Sequence, residues 1–267
     1  MALTAKCPKC RSTIDIAFLD HREEAFSNGY NQGFAEAIQI APDYGVDISA
    51  YIDTQAHLSN GDMDLSQYLG EDLDYVRERM ERPEERLAED WRNWTGTTEE
   101  YYINRKDYLY DNMKYNRFQY YQQRRILPLV GMKNKKILDI GCGVGTLVFM
   151  LGESNDIIGW DINPMMIDFA KWKKDKYELK GAFTTELPDI SQFDVVTALG
   201  TLEHFENLEE FVKGTLSKMR HGAKLLHFDD FGQQNVSPMH YDFTDEMPVW
   251  LDEAGFVEWD DLWAVKS

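Results

Sequence analysis

From residue 135 onward, short apolar runs alternate with stretches of helical period. The runs at 136–140, 157–161, 181–185, 194–199 and 224–228 are each about as long as a strand, and helical patterns at 146–152, 164–177 and 208–219 stand between them. That alternation predicts a parallel sheet with crossover helices. Asn163 before Pro164 marks one helix start, because the amide oxygen accepts backbone N–H groups and a proline in the first turn sacrifices no bond. Asn207 precedes the pattern at 208–219 in the same way. A further helix is expected at 244–254, stopped by Gly255, followed by a closing pair of short strands at 257–260 and 262–266. The link ELPDISQ, 186–192, is too short for a full helix and reads as a turn.

Before residue 131 the texture changes. Residues 66–127 hold no period-two strand but much helical material, including YVRERMERPEERLAEDW, where Pro83 should end one helix and start another. Aromatic side chains crowd between Trp91 and Tyr121. The first 65 residues differ again, with a cysteine pair, one helical pattern at 22–40 and a polar stretch reaching Asp64. The chain therefore reads as an N-terminal appendage (1–65), a helical cap (66–130) and an α/β domain (131–267). The cap is expected to close over the open edge of the sheet.

Composition narrows the function. With 267 residues and 43% hydrophobic content the chain can bury a real core. No apolar stretch approaches the roughly 20 residues of a membrane span, and MALTAKCPKC lacks the apolar centre of a signal peptide, so a cytoplasmic protein without membrane attachment is expected. Three cysteines, Cys7, Cys10 and Cys142, make no disulfide framework. Acidic residues outnumber basic ones 47 to 28, a net charge of −19 spread over both halves, and a nucleic-acid substrate would meet long-range repulsion. The lysines Lys171, Lys173, Lys174 and Lys176 read as the solvated face of a helix.

The candidate chemistry centres on ILDIGCGVGTL, 137–147, where an apolar run ends in Asp139 and breaks into Gly141, Gly143 and Gly145. A strand that delivers a glycine loop to a helix N-terminus holds a nucleotide-like ligand through its backbone. A pyrophosphate would meet the Asp139 carboxylate there, and no lysine follows the last glycine as in a P-loop. About twenty residues beyond Gly141, Asp161 in IIGWDIN stands where a carboxylate accepts both hydroxyls of a ribose. The ligand reads as a nucleoside without phosphates.

ILDIGCGVGTL, IIGWDINPMMIDFA and FDVVTALGTLEHF, in this order and spacing, resemble the class I S-adenosylmethionine-dependent methyltransferases over residues 135–265. The resemblance implies a Rossmann-like, doubly wound, mostly parallel seven-stranded sheet carrying the helical cap, with S-adenosylmethionine as cofactor. It implies that Asp139, Gly141, Cys142, Gly143 and Gly145 surround the methionine portion, that Asp161 holds the ribose and that Ile162 lies along the adenine. Thr185 and Glu186 in FTTELP stand where the family reaches the adenine amino group, although an aspartate is common there. Leu199 and Gly200 complete the cofactor site.

Methyl transfer requires an aligned acceptor and, where that acceptor is protonated, a base. Candidates lie after the fourth and fifth apolar runs: Glu203 and His204 in GTLEHF, Asp229 in HFDDF, and His240 and Tyr241 in SPMHYDF. His204, His240 and Tyr241 are the proposed catalytic set, with Tyr101, Tyr102 and Tyr115 as candidates for the substrate wall. Some relatives carry E-x-x-E-H and bind a divalent metal; here the first position is Gly200, and no metal is expected. CPKC is half a zinc ribbon without a second pair, which His21 and His57 would have to complete. The expected activity is methylation of O, N or C of a small molecule. The alternatives are a protein or nucleic-acid target, a non-methylating use of the cofactor, and a binding module without turnover. The sequence leaves the oligomeric state open.

Overall fold

The computed structural model describes residues 4–6, 13–15, 61–118, 129, 131–235, 237–259 and 263–267. Two short strands, β1 (Thr4–Lys6) and β2 (Thr13–Asp15), pair antiparallel. The remaining residues of 1–60, among them Cys7, Cys10, His21 and His57, lie outside the described residues, and so does the helix expected at 22–40.

Five cap helices follow: α1 (Gly61–Leu69), α2 (Leu73–Glu81), α3 (Pro83–Arg92), α4 (Thr98–Asn104) and α5 (Asp107–Phe118). Helix α1 runs through residues 65 and 66, so the expected border between appendage and cap falls inside a helix. The cause is burial of its polar residues: Asp64 is 0% exposed and accepts from Lys176 Nζ at 2.7 Å and from the Tyr177 hydroxyl at 2.6 Å. Pro83 opens α3, in keeping with a residue that has no N–H to give. Helix α4 starts on a capping box in which the Thr97 hydroxyl accepts from Glu100 N and the Glu100 carboxylate accepts from Thr97 N.

The α/β unit contains β3 (Lys136–Ile140), α6 (Thr146–Leu151), β4 (Asp156–Trp160), α7 (Pro164–Tyr177), β5 (Ala182–Thr184), β6 (Val195–Leu199), α8 (Leu208–Gly214), β7 (Lys224–Phe228), α9 (Met247–Glu253), β8 (Phe256–Trp259) and β9 (Trp263–Lys266). The strands form one seven-stranded sheet in the order β5-β4-β3-β6-β7-β9-β8. Strands β3 to β7 are parallel, while β9 pairs antiparallel with both β7 and β8. The chain winds outward from β3 to β5 and then crosses back to β6, so the crevice for a ligand opens beyond the C-terminal ends of β3 and β6. The helix expected at 208–219 breaks after Gly214 into a separate turn, Leu216–Lys218. The one expected from 244 begins at Met247, because Asp242 Oδ1 draws Thr244 N and Oγ1 into a turn of their own.

Apolar side chains cover both faces of the sheet, and a further cluster joins the cap to it: Leu65, Val76, Tyr101 and Met113 pack with Val144, Met166, Phe169 and Met239. Val144 belongs to the glycine loop. Burial of the cap's apolar face thus fixes its position over the loop. No helix among the described residues is long and apolar enough to cross a membrane.

Candidate functional site

The loop after β3 turns through three left-handed glycines, with φ of +66° at Gly141, +50° at Gly143 and +83° at Gly145. L-residues rarely adopt this conformation, and the space beside each glycine is already filled. A Cβ would collide with Thr201 at Gly141, with Asn112 at Gly143 and with Phe183 at Gly145. Gly145 then heads α6. The loop is anchored to β4 through Cys142 N, which donates to Trp160 O at 3.0 Å, while the Cys142 thiol is buried and shifted upward by that burial.

Asp161 closes the cradle. Its Oδ2 accepts from Gly143 N at 3.0 Å and its Oδ1 from Asn163 N at 2.8 Å, so both oxygens are oriented by backbone and each keeps a lone pair. Burial pushes its carboxyl up to about 6, against those two stabilising bonds. Asp139 is 4% exposed and accepts from Thr197 Oγ1 at 2.6 Å; burial, together with the nearby Asp161 charge, pushes it up to about 7. This carboxylate thus turns sideways to β6 and away from the loop amides. Two carboxyls held partly neutral by burial gain most from a cation placed between them and solvent.

A cavity of about 1090 Å³ extends from this cradle toward the cap. Gly141, Asp161, Ile162, Gly200, His204 and His240 line it among the expected residues, joined by Tyr102. Thr185 and Glu186 do not. The Thr184 hydroxyl accepts Glu186 N at 3.0 Å in a tight turn that leaves both side chains exposed, the Thr185 carbonyl accepts the Trp160 indole N–H at 3.1 Å, and Leu187 lines the cavity instead. Leu199 packs into the core beneath the cradle. Tyr241 is also outside the lining: its hydroxyl meets Thr98 Oγ1 at 2.7 Å, a latch between the cap and the segment after β7. Asp229 is paired with His227 Nδ1 at 2.8 Å, outside the lining. Tyr101 is fully buried, donating to Leu87 O at 2.6 Å, and the side chain of Tyr115 lies outside the described residues.

The two imidazoles differ in wiring. Tyr102 and His204 Nδ1 stand 2.5 Å apart, and the rings of His204 and His240 meet edge to face at 4.6 Å. Burial holds both histidines below their usual range, His204 most strongly, so both are neutral. The Tyr102 hydroxyl, kept protonated by its burial, has a hydrogen to give to His204 Nδ1, and in that arrangement the neutral His204 carries its proton on Nε2. The His240 ring bonds the Asp230 backbone, which favours its charged form and so is an N–H donated to the carbonyl; its buried Nδ1 has no partner. His240 Nδ1 is thus the bare lone pair. Glu203, Oε2 of which also lacks a partner, completes a trio with His204 and His240 in which one donor atom of each lies within 4.8 Å of the others. The trio has the atom types for a divalent ion, but the fourth position of the familiar pattern is Gly200.

Asn112 is the contact that sequence reasoning missed. From α5 its Oδ1 accepts Val144 N at 3.4 Å, and it fills the space beside Gly143. Nothing in the local sequence distinguishes it from any exposed helical asparagine.

Residues 138–225 match the family model described as a methyltransferase domain. A ubiquinone biosynthesis O-methyltransferase of Coxiella burnetii is 26% identical over 146 residues, 52% of this chain and 56% of the relative. A phosphoethanolamine N-methyltransferase of Triticum aestivum is 26% identical over 142 residues, 50% of this chain and 27% of the relative. The chain thus spans about half the length of the first of these relatives and less of the second. Among solved structures, magnesium protoporphyrin IX methyltransferase from Synechocystis PCC 6803 aligns at a TM-score of 0.44 and 20% identity, covering 69% of this chain and 97% of that one. Residues 138–225, which run from β3 into β7 and include the glycine loop and the acid that follows β4, thus match a methyltransferase domain, set in a mostly parallel seven-stranded sheet of Rossmann-like order.

Proposed function

We propose that the protein transfers a methyl group from S-adenosylmethionine to a small molecule held between the cap and the sheet. The observation that carries this reading is continuity: Gly141 of the glycine loop, Asp161 and His240, whose Nδ1 has no partner, line one cavity. Bound there, the cofactor would supply a methyl group already activated on a sulfonium.

The residues present fit that cofactor. Gly141 brings backbone into the cavity wall where the methionine portion would lie, Thr146 Oγ1 is buried without a partner at the start of α6, and Asp161 offers two oriented acceptors to a ribose diol. Ile162 and Leu187 give an apolar wall for the adenine. His240 Nδ1 takes the acceptor's proton, His204 donates from Nε2, and Tyr102 fixes that tautomer. Helices α1 to α5 act as the cap that excludes water, and the stretch before Gly61 is separate in role. A reducing, cytoplasmic setting suits the free thiol of Cys142.

Calorimetry on the purified full chain tests the reading. Adenosylhomocysteine should bind, and NAD and ATP should bind far more weakly, because the Asp161 carboxylate lines the cavity and no phosphate-binding cation follows the glycine loop. Tighter binding of NAD would overturn it.

A further inference from the structure

Glu203 stands in the turn Leu202–His204 after β6 and is 2% exposed. Its Oε1 accepts from Asp230 N at 3.4 Å, and its Oε2, buried in the cavity wall, has no hydrogen-bond partner. Burial, with Asp229 close by, pushes this carboxyl up to about 8, so it carries full charge only beside a cation. His240 Nδ1, on the same wall, is a second buried polar atom without a partner. Buried polar atoms left bare are costly, and a cation that carries several hydrogens, placed between these two, would keep the Glu203 carboxylate charged and give each a hydrogen. A phenolate or carboxylate oxygen carries none and a hydroxyl carries one. A primary amine carries two, and its ammonium three.

The charge around the pair points the same way. Glu99, Glu206, Glu210 and Asp230 line the same cavity, and Lys114, the one lysine or arginine in its lining among the described residues, is bonded to both oxygens of Glu84 at 3.0 and 3.2 Å. An anionic acceptor would enter a cavity of carboxylates with no free cation among the described residues to meet it. A cation would be attracted there.

We propose that the acceptor is an amine, methylated on nitrogen, with its N–H groups received by Glu203 Oε2 and His240 Nδ1. The inference rests on the methyl-transfer reading above and names its substrate class. The amine arrives as an ammonium and gives one proton to His240 Nδ1, from which it passes to solvent. The nitrogen lone pair then forms the N–C bond as the C–S bond breaks, and that electron pair remains on sulfur. One positive charge enters the step on sulfur and leaves it on the methylated nitrogen, so the carboxylates face a cation throughout. With a phenolate acceptor the two charges would annihilate, and Glu206, Glu210 and Asp230 would oppose the reactant.

Three probes with one ring separate the possibilities: tyramine, which offers an amine and a phenol; tyrosol, a phenol without an amine; and 4-hydroxyphenylacetate, an acid. Each is titrated into the full chain loaded with adenosylhomocysteine, and transfer from S-adenosylmethionine is mapped by fragment mass spectrometry. Tyramine should bind more tightly than tyrosol or the acid by about tenfold or more, and methyl should appear on its nitrogen. Glu203→Gln should lower tyramine affinity by about tenfold while adenosylhomocysteine affinity, the control for folding, stays unchanged. Methyl on the phenol oxygen, equal or tighter binding of tyrosol or the acid, or no tyramine binding by protein that holds adenosylhomocysteine would overturn the amine assignment alone. Failure to bind adenosylhomocysteine would remove the methyl-transfer reading and this one with it.

Discussion

The Asp161 carboxylate accepts the Gly143 N–H at 3.0 Å, which locks the end of β4 to the glycine loop that follows β3. One side chain thus shapes the loop and offers its remaining lone pairs to the ligand. Asp161→Ala should weaken adenosylhomocysteine binding by about 1.5–3 kcal/mol for each charge-assisted bond to the ribose that is lost. Asp161→Asn, which keeps the volume, should lose less. Calorimetry on both variants, with circular dichroism as the check on folding, decides it; an unchanged affinity in the alanine variant would take the ribose away from Asp161.

The same carboxyl predicts a pH dependence for the cofactor. Burial holds Asp161 up to about 6, so protonation below that pH removes the acceptor that a ribose diol needs and the charge that a sulfonium favours. S-adenosylmethionine affinity should fall steeply as pH drops from 7 toward 5, and it should fall less for Asp161→Asn, which has nothing to protonate. A flat profile in the wild-type chain would contradict this.

Asp139 gives a stability test with a defined sign. Its folded value is raised to about 7 from an ordinary 3.8, so its contribution is fully present below the ordinary value and is lost as pH rises through about 7. Asp139→Asn keeps an acceptor for the Thr197 hydroxyl and removes the buried charge. The variant should therefore be more stable than the wild-type chain at pH 8, by roughly 1–3 kcal/mol, with a smaller difference at pH 5 that closes only toward the ordinary value of 3.8. Thermal melts of the ligand-free protein at the two pH values measure the difference.

Much of the α/β unit was legible because its strands are buried on both faces and read as plain apolar runs. Lys136–Ile140, Lys224–Phe228 and the helix Pro164–Tyr177 have the bounds that the pattern and the Asn163–Pro164 start signal predict. The breaks were less legible: Gly214 ends α8 early, and Asp242 captures Thr244. Those outcomes depend on competing local hydrogen bonds, which periodicity does not register. In the site, the glycines and Asp161 were legible because backbone approach and ribose recognition leave few residue choices. Thr185, Glu186 and Tyr241 fall outside the lining because side-chain direction in loops follows from turns and latches such as Thr98 to Tyr241, contacts between residues far apart in the chain. Asn112 gave no signal at all, since its partner, the Val144 N–H, is backbone.

That asparagine couples cap to cradle, which can be tested by substitution on both sides. Gly143→Ala places a methyl group against the Asn112 carboxamide, on a residue with φ of +50°. The variant should lose stability and cofactor affinity together. Asn112→Ala in the same chain makes room for the methyl but leaves the backbone strain, so it should restore part of the loss and no more. Additive losses in the double variant, measured by melts and calorimetry, would show that the cap does not rest on Gly143.

The last expectation concerns Tyr102, which stands 2.5 Å from His204 Nδ1 and packs against Tyr108 with ring centroids 4.9 Å apart. Tyr102→Phe keeps the ring and its packing and removes only the hydroxyl. His204 then loses the donor that fixes its proton on Nε2, and its neutral tautomers become mixed. Cofactor affinity should stay within about twofold, because the hydroxyl that is removed stands against His204 while the ring and backbone that touch the cradle stay, whereas kcat should fall by about tenfold as the donor toward the acceptor is lost for part of the time. The comparison that gives this meaning is His240→Ala, which removes the bare nitrogen itself and should cost about a hundredfold or more in kcat, less as pH rises and the acceptor sheds its proton unaided. If Tyr102→Phe turns over at the wild-type rate, the hydroxyl serves only to seat the cap, and His204 is packing.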